Sequence, residues 1–171
     1  MGARAALFAV AAVFVTASPA LGQENRLSLA AKVIGGLADG SEMVMGALGK
    51  GVVYELEPGA YEVGFDRGVA SFLYAEPAPC VFTQHARMDG QATSDARFDF
   101  NVITAIAVED QGDWEGLKAA MVELQGPDNA VEVREGETWV TAPGSAFLVS
   151  SIPAGDIGAA AAALRELCPG D

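Results

Sequence analysis

The chain contains one histidine, His85, so any catalytic site built on an imidazole has to use it. A Ser-His-Asp or Cys-His centre needs a histidine that takes the proton from the nucleophile. No Gly-x-Ser-x-Gly elbow accompanies it. His85 shares a strand face with Val81, Thr83 and Arg87, which is typical of a surface or half-buried position. We therefore expect no catalytic role for His85, and a small hydrolase stays as an alternative.

Soft metal ligands are present, but they are scattered along the chain. Thioether and imidazole groups bind Cu(I), and the pairs Met43-x-Met45 and His85-x-x-Met88 offer both. The two pairs lie far apart in sequence, so the methionines are predicted to fill the core, and a copper carrier is the other alternative. The acidic segment 109–115 lacks the alternating acids of a calcium-binding loop. We expect no metal ion and no cofactor.

The two cysteines, Cys80 and Cys168, are the remaining candidates for chemistry. They do not form the Cys-x-x-Cys pattern of redox and metal sites. In an oxidising compartment an even pair of cysteines forms a structural disulfide, and this one would close a loop of 88 residues. In the chain-entropy model such a crosslink stabilises the fold by about 4 kcal/mol.

The N-terminus predicts that the protein reaches such a compartment. Residues 1–22 combine one basic residue, Arg4, an apolar run over 5–15 and small residues at the end. This arrangement is typical of a cleaved secretory signal peptide, and the apolar run is too short to cross a bilayer. The alanine-rich, acidic composition indicates a bacterial source. We predict a periplasmic or extracellular protein with one domain over residues 23–171.

The charge of the chain disfavours two classes of partner. It has 10 basic and 23 acidic residues, a net charge of −13, and removal of residues 1–22 lowers this to −14. A surface this negative repels phosphate backbones and anionic lipid head groups. We expect no nucleic-acid binding and no membrane insertion after signal cleavage. A protein or envelope partner and the oligomeric state both stay open.

The strands that position these residues are predicted from turn dipeptides and alternating apolar side chains. Pro58-Gly59 joins a hairpin over residues 52–65, with an apolar face expected to be buried and a wet face opposite. A second set of turns indicates a hairpin region over 130–151. His85 falls on a predicted strand over 80–88. The run 97–108, apolar on both faces toward its end, is typical of a central strand.

Two polar or glycine-rich segments lack these strand signals. The segment 91–95 after Asp89-Gly90 is predicted to be a mobile surface loop. Residues 39–51 contain four glycines and receive no assignment.

Helices are predicted where apolar residues recur at helical spacing, near 27–38, 114–125 and 157–168. Asp113 is placed to cap the middle helix. Cys168 shares the apolar stripe of the last helix and Cys80 opens a strand, so the disulfide would join helix to sheet. Together these elements predict an α+β fold, a mainly antiparallel sheet of short strands with the helices packed on one side.

No motif in the chain identifies an activity, and the sequence favours a non-enzymatic binding or accessory module of the bacterial envelope. The predicted contact surface is the solvent-exposed face of the first hairpin, with Glu55, Glu57 and Glu62. His85 and Met88 are the candidates for the alternative functions, a small hydrolase or a copper carrier.

Overall fold

The computed structural model describes residues 19–170 of the chain, with side chains from Asn25 onward. Most of the predicted signal peptide, residues 1–18, therefore lies outside the described residues, and the first helix starts before the predicted cleavage position. The elements in chain order are α1 (Pro19–Gly35), β1 (Glu42–Val44), a short 3-10 helix (Gly46–Leu48), β2 (Lys50–Glu57), β3 (Ala60–Phe65), β4 (Gly68–Ala78), β5 (Val81–Met88), β6 (Gln91–Asp99), β7 (Ala105–Trp114), β8 (Leu117–Gln125), β9 (Val131–Glu135), β10 (Thr138–Thr141), β11 (Ser145–Ser150) and α2 (Ala154–Leu167).

The eleven strands form one antiparallel sheet in the order β10-β9-β6-β5-β4-β3-β2-β1-β11-β8-β7. Strands β1 to β6 follow one another as a meander, and β11 returns to pair with both β1 and β8. The fold is broadly α+β and is dominated by its sheet, which confirms the predicted mainly antiparallel architecture. No helix within residues 19–170 has both the length and the apolar character that a membrane crossing requires.

The sheet curves around α1. Val33 and Ile34 of α1 face a cavity of about 180 Å³, and its other walls come from β5, β6, β8, β9 and β11. Strands that are far apart in the sheet order therefore approach each other around the helix. The main core combines buried residues of α1, α2 and the strands. Its largest fully buried side chains are Tyr61, Tyr74, Phe82, Phe100, Leu37, Ile103, Ile157 and Leu164.

Several predicted elements are confirmed. The hairpin over 52–65 consists of β2 and β3, and β9 and β10 form a hairpin within 130–151. The helices near 27–38 and 157–168 correspond to α1 and α2. The disulfide between Cys80 and Cys168 is also confirmed. It joins the residue before β5 to the residue after α2, so the crosslink does tie the last helix to the sheet.

The helix predicted near 114–125 is wrong, because this segment is strand β8 preceded by a tight turn. Glu115 and Gly116 both have positive φ, 51° and 79°, the backbone that a two-residue hairpin turn requires. Asp113 pairs with Lys118 across this hairpin and caps no helix. Strand β8 is hydrogen-bonded on both sides, to β7 and β11. It buries residues on both faces, so its apolar spacing does not alternate visibly.

The central strand predicted over 97–108 and the loop predicted over 91–95 are wrong as well. Strand β6 starts at Gln91, directly after the turn formed by Asp89 and Gly90, whose φ values are 49° and 79°. It ends at Asp99, and the apolar run beyond it is divided. Ile103 enters the core from a turn, and the rest becomes β7, which is an edge strand of the sheet.

Candidate functional site

A row of polar side chains crosses the outer face of the sheet, the face turned away from the main core. His85 in β5 pairs with Leu73 in β4 and with Asp95 in β6. Residues that face one side of a strand recur every second position. Phe82 in β5 and Phe72 in β4 therefore point into the core, and His85 and Leu73 point outward.

His85 is held by a carboxylate on the neighbouring strand. Its Nδ1 lies 2.7 Å from Oδ1 of Asp95, and both side chains are partly exposed. A carboxylate oxygen accepts hydrogen bonds, so Nδ1 is the donor in this pair and Nε2 faces away from Asp95. Nη1 of Arg134 in β9 lies 3.7 Å from the other oxygen of Asp95. The arrangement orients the imidazole and leaves one ring nitrogen available.

A surface cavity of about 430 Å³ lies beside His85, within the size range of small-molecule sites. Two small side chains, Ser71 and Ala60, leave the hollow at its centre. Leu56 and Leu73 stand beside it and are unusually exposed for leucine, at 66% and 48%. The full lining is Leu56, Ala60, Tyr61, Ser71, Phe72, Leu73, His85 and Arg87.

Arg87 provides the positive charge of this cavity. It pairs with Ser71 across β4 and β5 and is exposed. Among the residues that the structure describes, no side chain or carbonyl accepts a hydrogen bond from Arg87 or forms an ion pair with it. Arg26, Arg97 and Arg134, by contrast, all pair with carboxylates. Arg87 is therefore free to meet a ligand.

The three glutamates predicted as an acidic contact surface do not share one face. Tyr61 Oη donates a hydrogen bond to Oε1 of Glu55 (3.0 Å), and Ser28 Oγ donates to the same oxygen (3.3 Å). Glu55 is thus turned toward α1. The strand register is irregular between Glu55 and Glu57. Glu57, beyond this shift, and Glu62, which pairs with Tyr54, are both exposed on the outer face.

The predicted apolar face of the same hairpin is confirmed in β3, where Tyr61, Val63 and Phe65 are buried, and is wrong in β2. Val53 and Val63 are paired and fully buried. Tyr54 is paired with Glu62 and is half exposed, as is Leu56. Antiparallel pairing places opposed residues on the same face, so burial of Val63 also buries Val53 and turns Tyr54 outward. The hairpin therefore presents apolar side chains to solvent, next to the cavity.

The predicted copper ligands are not brought together by the strands. Met88 pairs with Ala70, a core residue, and lies on the opposite face of β5 from His85. Met43 is buried in β1 opposite Ser150. Within the described part of the chain, no three His, Cys, Asp or Glu side chains are grouped so that they could hold a metal ion.

Two buried tyrosines, Tyr61 and Tyr74, pack together in the core. Tyr74 Oη accepts a hydrogen bond from Nε2 of Gln84 at 2.6 Å, and the ring packs edge-on against Tyr61 at 6.2 Å between centroids. Burial raises the pKa of both hydroxyls above the ordinary range of tyrosine, and at Tyr61 the neighbouring carboxylate of Glu55 adds to the increase. Both hydroxyls are therefore neutral structural groups.

Sequence reasoning missed Asp95, Ser71 and Arg87 as members of this site. Asp95 was predicted to lie in a loop, and strand pairing is what places it beside His85. Arg87 was noted only as a neighbour on the same face as His85. The one sequence signal for this site was the alternation of side chains along a strand, which predicts that residues 85 and 87 project from the same face.

The outer-face site thus consists of a carboxylate-supported histidine, an unpaired arginine and an open, mostly apolar hollow. Comparison of the chain with protein-family models, with curated proteins and with solved structures found no match.

Proposed function

We propose that this chain is an exported, disulfide-bonded accessory module of the bacterial envelope that binds a protein or envelope component through the outer face of its sheet. One observation carries the proposal. Tyr54, Leu56 and Leu73 are large apolar side chains, each about half exposed or more, and Leu56 and Leu73 line one cavity. Grouped apolar side chains on a surface are typical of interaction sites.

The packing of the helices supports this use of the sheet. We propose that α1 and α2 both cover the inner face, because their buried residues share one core with that face and the helices contact each other. The outer face then stays open to a partner. The predicted signal peptide and the disulfide support export, since crosslinks of this kind persist in oxidising compartments.

Export has a direct test. After expression of the full chain in a bacterium, the periplasmic fraction should contain a protein that starts at Gln23, as read by N-terminal mass spectrometry. Its non-reduced mass should be lower than the reduced mass by the two hydrogens of one disulfide. Recovery of the uncleaved chain in the cytoplasm, with free thiols, would contradict the proposal.

Binding through the outer face is tested by site-specific crosslinking. A photoreactive amino acid at position 73 should capture a defined partner in intact cells. The same group at position 159, an exposed position in α2, serves as the matched control and should capture nothing comparable. Leu56→Asp combined with Leu73→Asp should abolish capture. Equal capture from both positions would refute a specific surface.

A small hydrolase is a second candidate, and the contact between His85 and Asp95 favours it. An oriented imidazole with Nε2 available can act as a general base, and Ser71 lines the same cavity. The purified protein would hydrolyse an activated ester such as p-nitrophenyl acetate, and both His85→Gln and Ser71→Ala would abolish that activity. If the unaltered protein hydrolyses the ester no faster than the His85→Gln variant does, this candidate is removed.

A further inference from the structure

The cavity beside His85 contains an unneutralised positive charge in a strongly acidic protein. The chain carries 23 acidic and 10 basic residues, so a positively charged cavity differs in sign from the protein as a whole. On this face Asp95 in β6 lies diagonally across from Arg87, and its carboxylate is already paired with His85 and Arg134. On the other side of Arg87, Glu62 in β3 pairs with Ser71 in β4, and Ser71 pairs with Arg87 in β5. Glu62 and Arg87 are therefore two strand spacings apart, about 10 Å, and they form no ion pair.

The rest of the cavity is apolar and open at the surface. Leu56 and Leu73 line it and offer exposed methyl groups. Ser71 and Ala60 are too small to fill the space between them. A ligand that lies in this hollow can remove leucine surface from water while one end reaches the guanidinium.

We infer that the cavity binds a small carboxylate with an apolar tail, and octanoate is the probe chosen to represent this class. Arg87 meets the carboxylate, because a guanidinium presents two parallel donors to two carboxylate oxygens. Leu56 and Leu73 cover the tail. The net charge of −13 repels any anion, so the apolar contact and the arginine are needed together. The inference rests on the proposed binding function and names its ligand class.

The experiment titrates the isotope-labelled, oxidised protein with sodium octanoate and follows backbone amide signals by NMR. Signals of residues 71, 73, 85 and 87 should shift along a single saturable curve. Octylammonium, with the same tail and the opposite charge, and acetate, with the same head and no tail, should both bind at least about tenfold more weakly than octanoate, since each lacks one of the two contacts.

Three substitutions locate the site. Arg87→Gln should raise the octanoate Kd by about tenfold, the loss expected when a charge-assisted hydrogen bond is removed. Arg67→Gln is the matched control, because Arg67 is exposed in the turn after β3, outside the cavity, and donates only to the carbonyl of Ala47. It should leave the Kd unchanged. Glu62→Gln should tighten binding about twofold, since it removes a negative charge about 10 Å from the arginine.

The outcomes separate this inference from the proposed function. Equal octanoate affinity in Arg87→Gln, equal binding of octylammonium, or weaker binding in Glu62→Gln would overturn the ligand class. Crosslinking at position 73 could still capture a partner in that case, and the binding function would stand. If crosslinking instead fails while octanoate binds with the predicted charge dependence, the ligand class is supported and the proposal of a protein partner is refuted.

Discussion

Replacement of Glu76 should destabilise the fold more than replacement of any exposed glutamate. Only 2% of the Glu76 side chain is exposed. Its oxygens accept hydrogen bonds from Nε and Nη2 of Arg26, at 2.9 and 3.1 Å, and from the backbone N–H of Cys80 at 2.8 Å. Cys80 has φ of 60°, a left-handed conformation that costs energy for a residue with a side chain. Glu76 thus joins α1 to the turn that positions the disulfide.

The expected loss follows from these contacts. Removal of one partner of a buried ion pair costs about 3–5 kcal/mol. The Arg26 side chain is 25% exposed, so water solvates part of the abandoned guanidinium, and the lower end of that range applies. Glu76→Ala should therefore lower the free energy of unfolding by about 3 kcal/mol. Glu76→Gln retains one carbonyl acceptor and should cost about half as much.

Urea denaturation of the oxidised protein, followed by tryptophan fluorescence, measures these losses. Glu57→Ala is the control, because Glu57 is exposed and has no hydrogen bond or ion pair among the described residues; it should change stability by less than about 0.5 kcal/mol. In a double-mutant cycle, Arg26→Ala and Glu76→Ala should be coupled by about 1 kcal/mol or more. A Glu76→Ala protein as stable as the Glu57→Ala protein would refute the reasoning.

Three further predictions concern the core and the crosslink. Gly35→Ala would place a Cβ against Tyr74 Oη and should cost about 1–3 kcal/mol. Gly158→Ala in α2, where a Cβ meets nothing, should stabilise the fold by about 0.5–1 kcal/mol, so the two denaturation curves should shift in opposite directions. Reduction of the disulfide between Cys80 and Cys168 should lower the free energy of unfolding by about 4 kcal/mol. Denaturation with and without reductant measures this difference, and a value below about 1 kcal/mol would contradict the prediction. Because the pKa of Tyr61 and of Tyr74 is raised in the fold, the unfolded chain loses protons above about pH 10 that the folded chain keeps. The free energy of unfolding should therefore be at its full value below pH 10 and fall above it by up to about 1.4 kcal/mol per pH unit for each tyrosine. Alkaline denaturation followed by circular dichroism should be less steep in Tyr61→Phe, and an equal slope would argue against the burial effect.

The elements that could be predicted are those with a local cause. Pro58-Gly59 predisposes the chain to turn whatever surrounds it, and the hairpin over 52–65 is present. The spacing of Ile157, Ala160, Ala161 and Leu164 forms one stripe on any helix, and these residues are buried in α2. Asp89-Gly90 was an equally local hairpin signal, and its polar continuation over 91–95 obscured the strand that follows.

Segment 114–125 could not be predicted because its conformation depends on its neighbours. Leu117, Ala120, Met121 and Leu124 fit a helical stripe, and leucine, methionine and alanine favour helices. Pairing with β7 and β11 satisfies the backbone of this segment on both sides, and burial on both faces removes the alternation that marks a strand. The tertiary structure therefore overrides a local preference that amounts to less than about 1 kcal/mol per residue.

The candidate site shows the same division. By itself the sequence determined that His85 is the sole imidazole, that Arg87 projects beside it from one strand, and that two cysteines are available for one crosslink. Only the tertiary structure decided that Asp95 supports His85, that Glu55 turns inward and that Leu56 and Leu73 face solvent. The reason is strand register: a shift of one residue exchanges the two faces of a strand, and the register is set by neighbours distant in sequence.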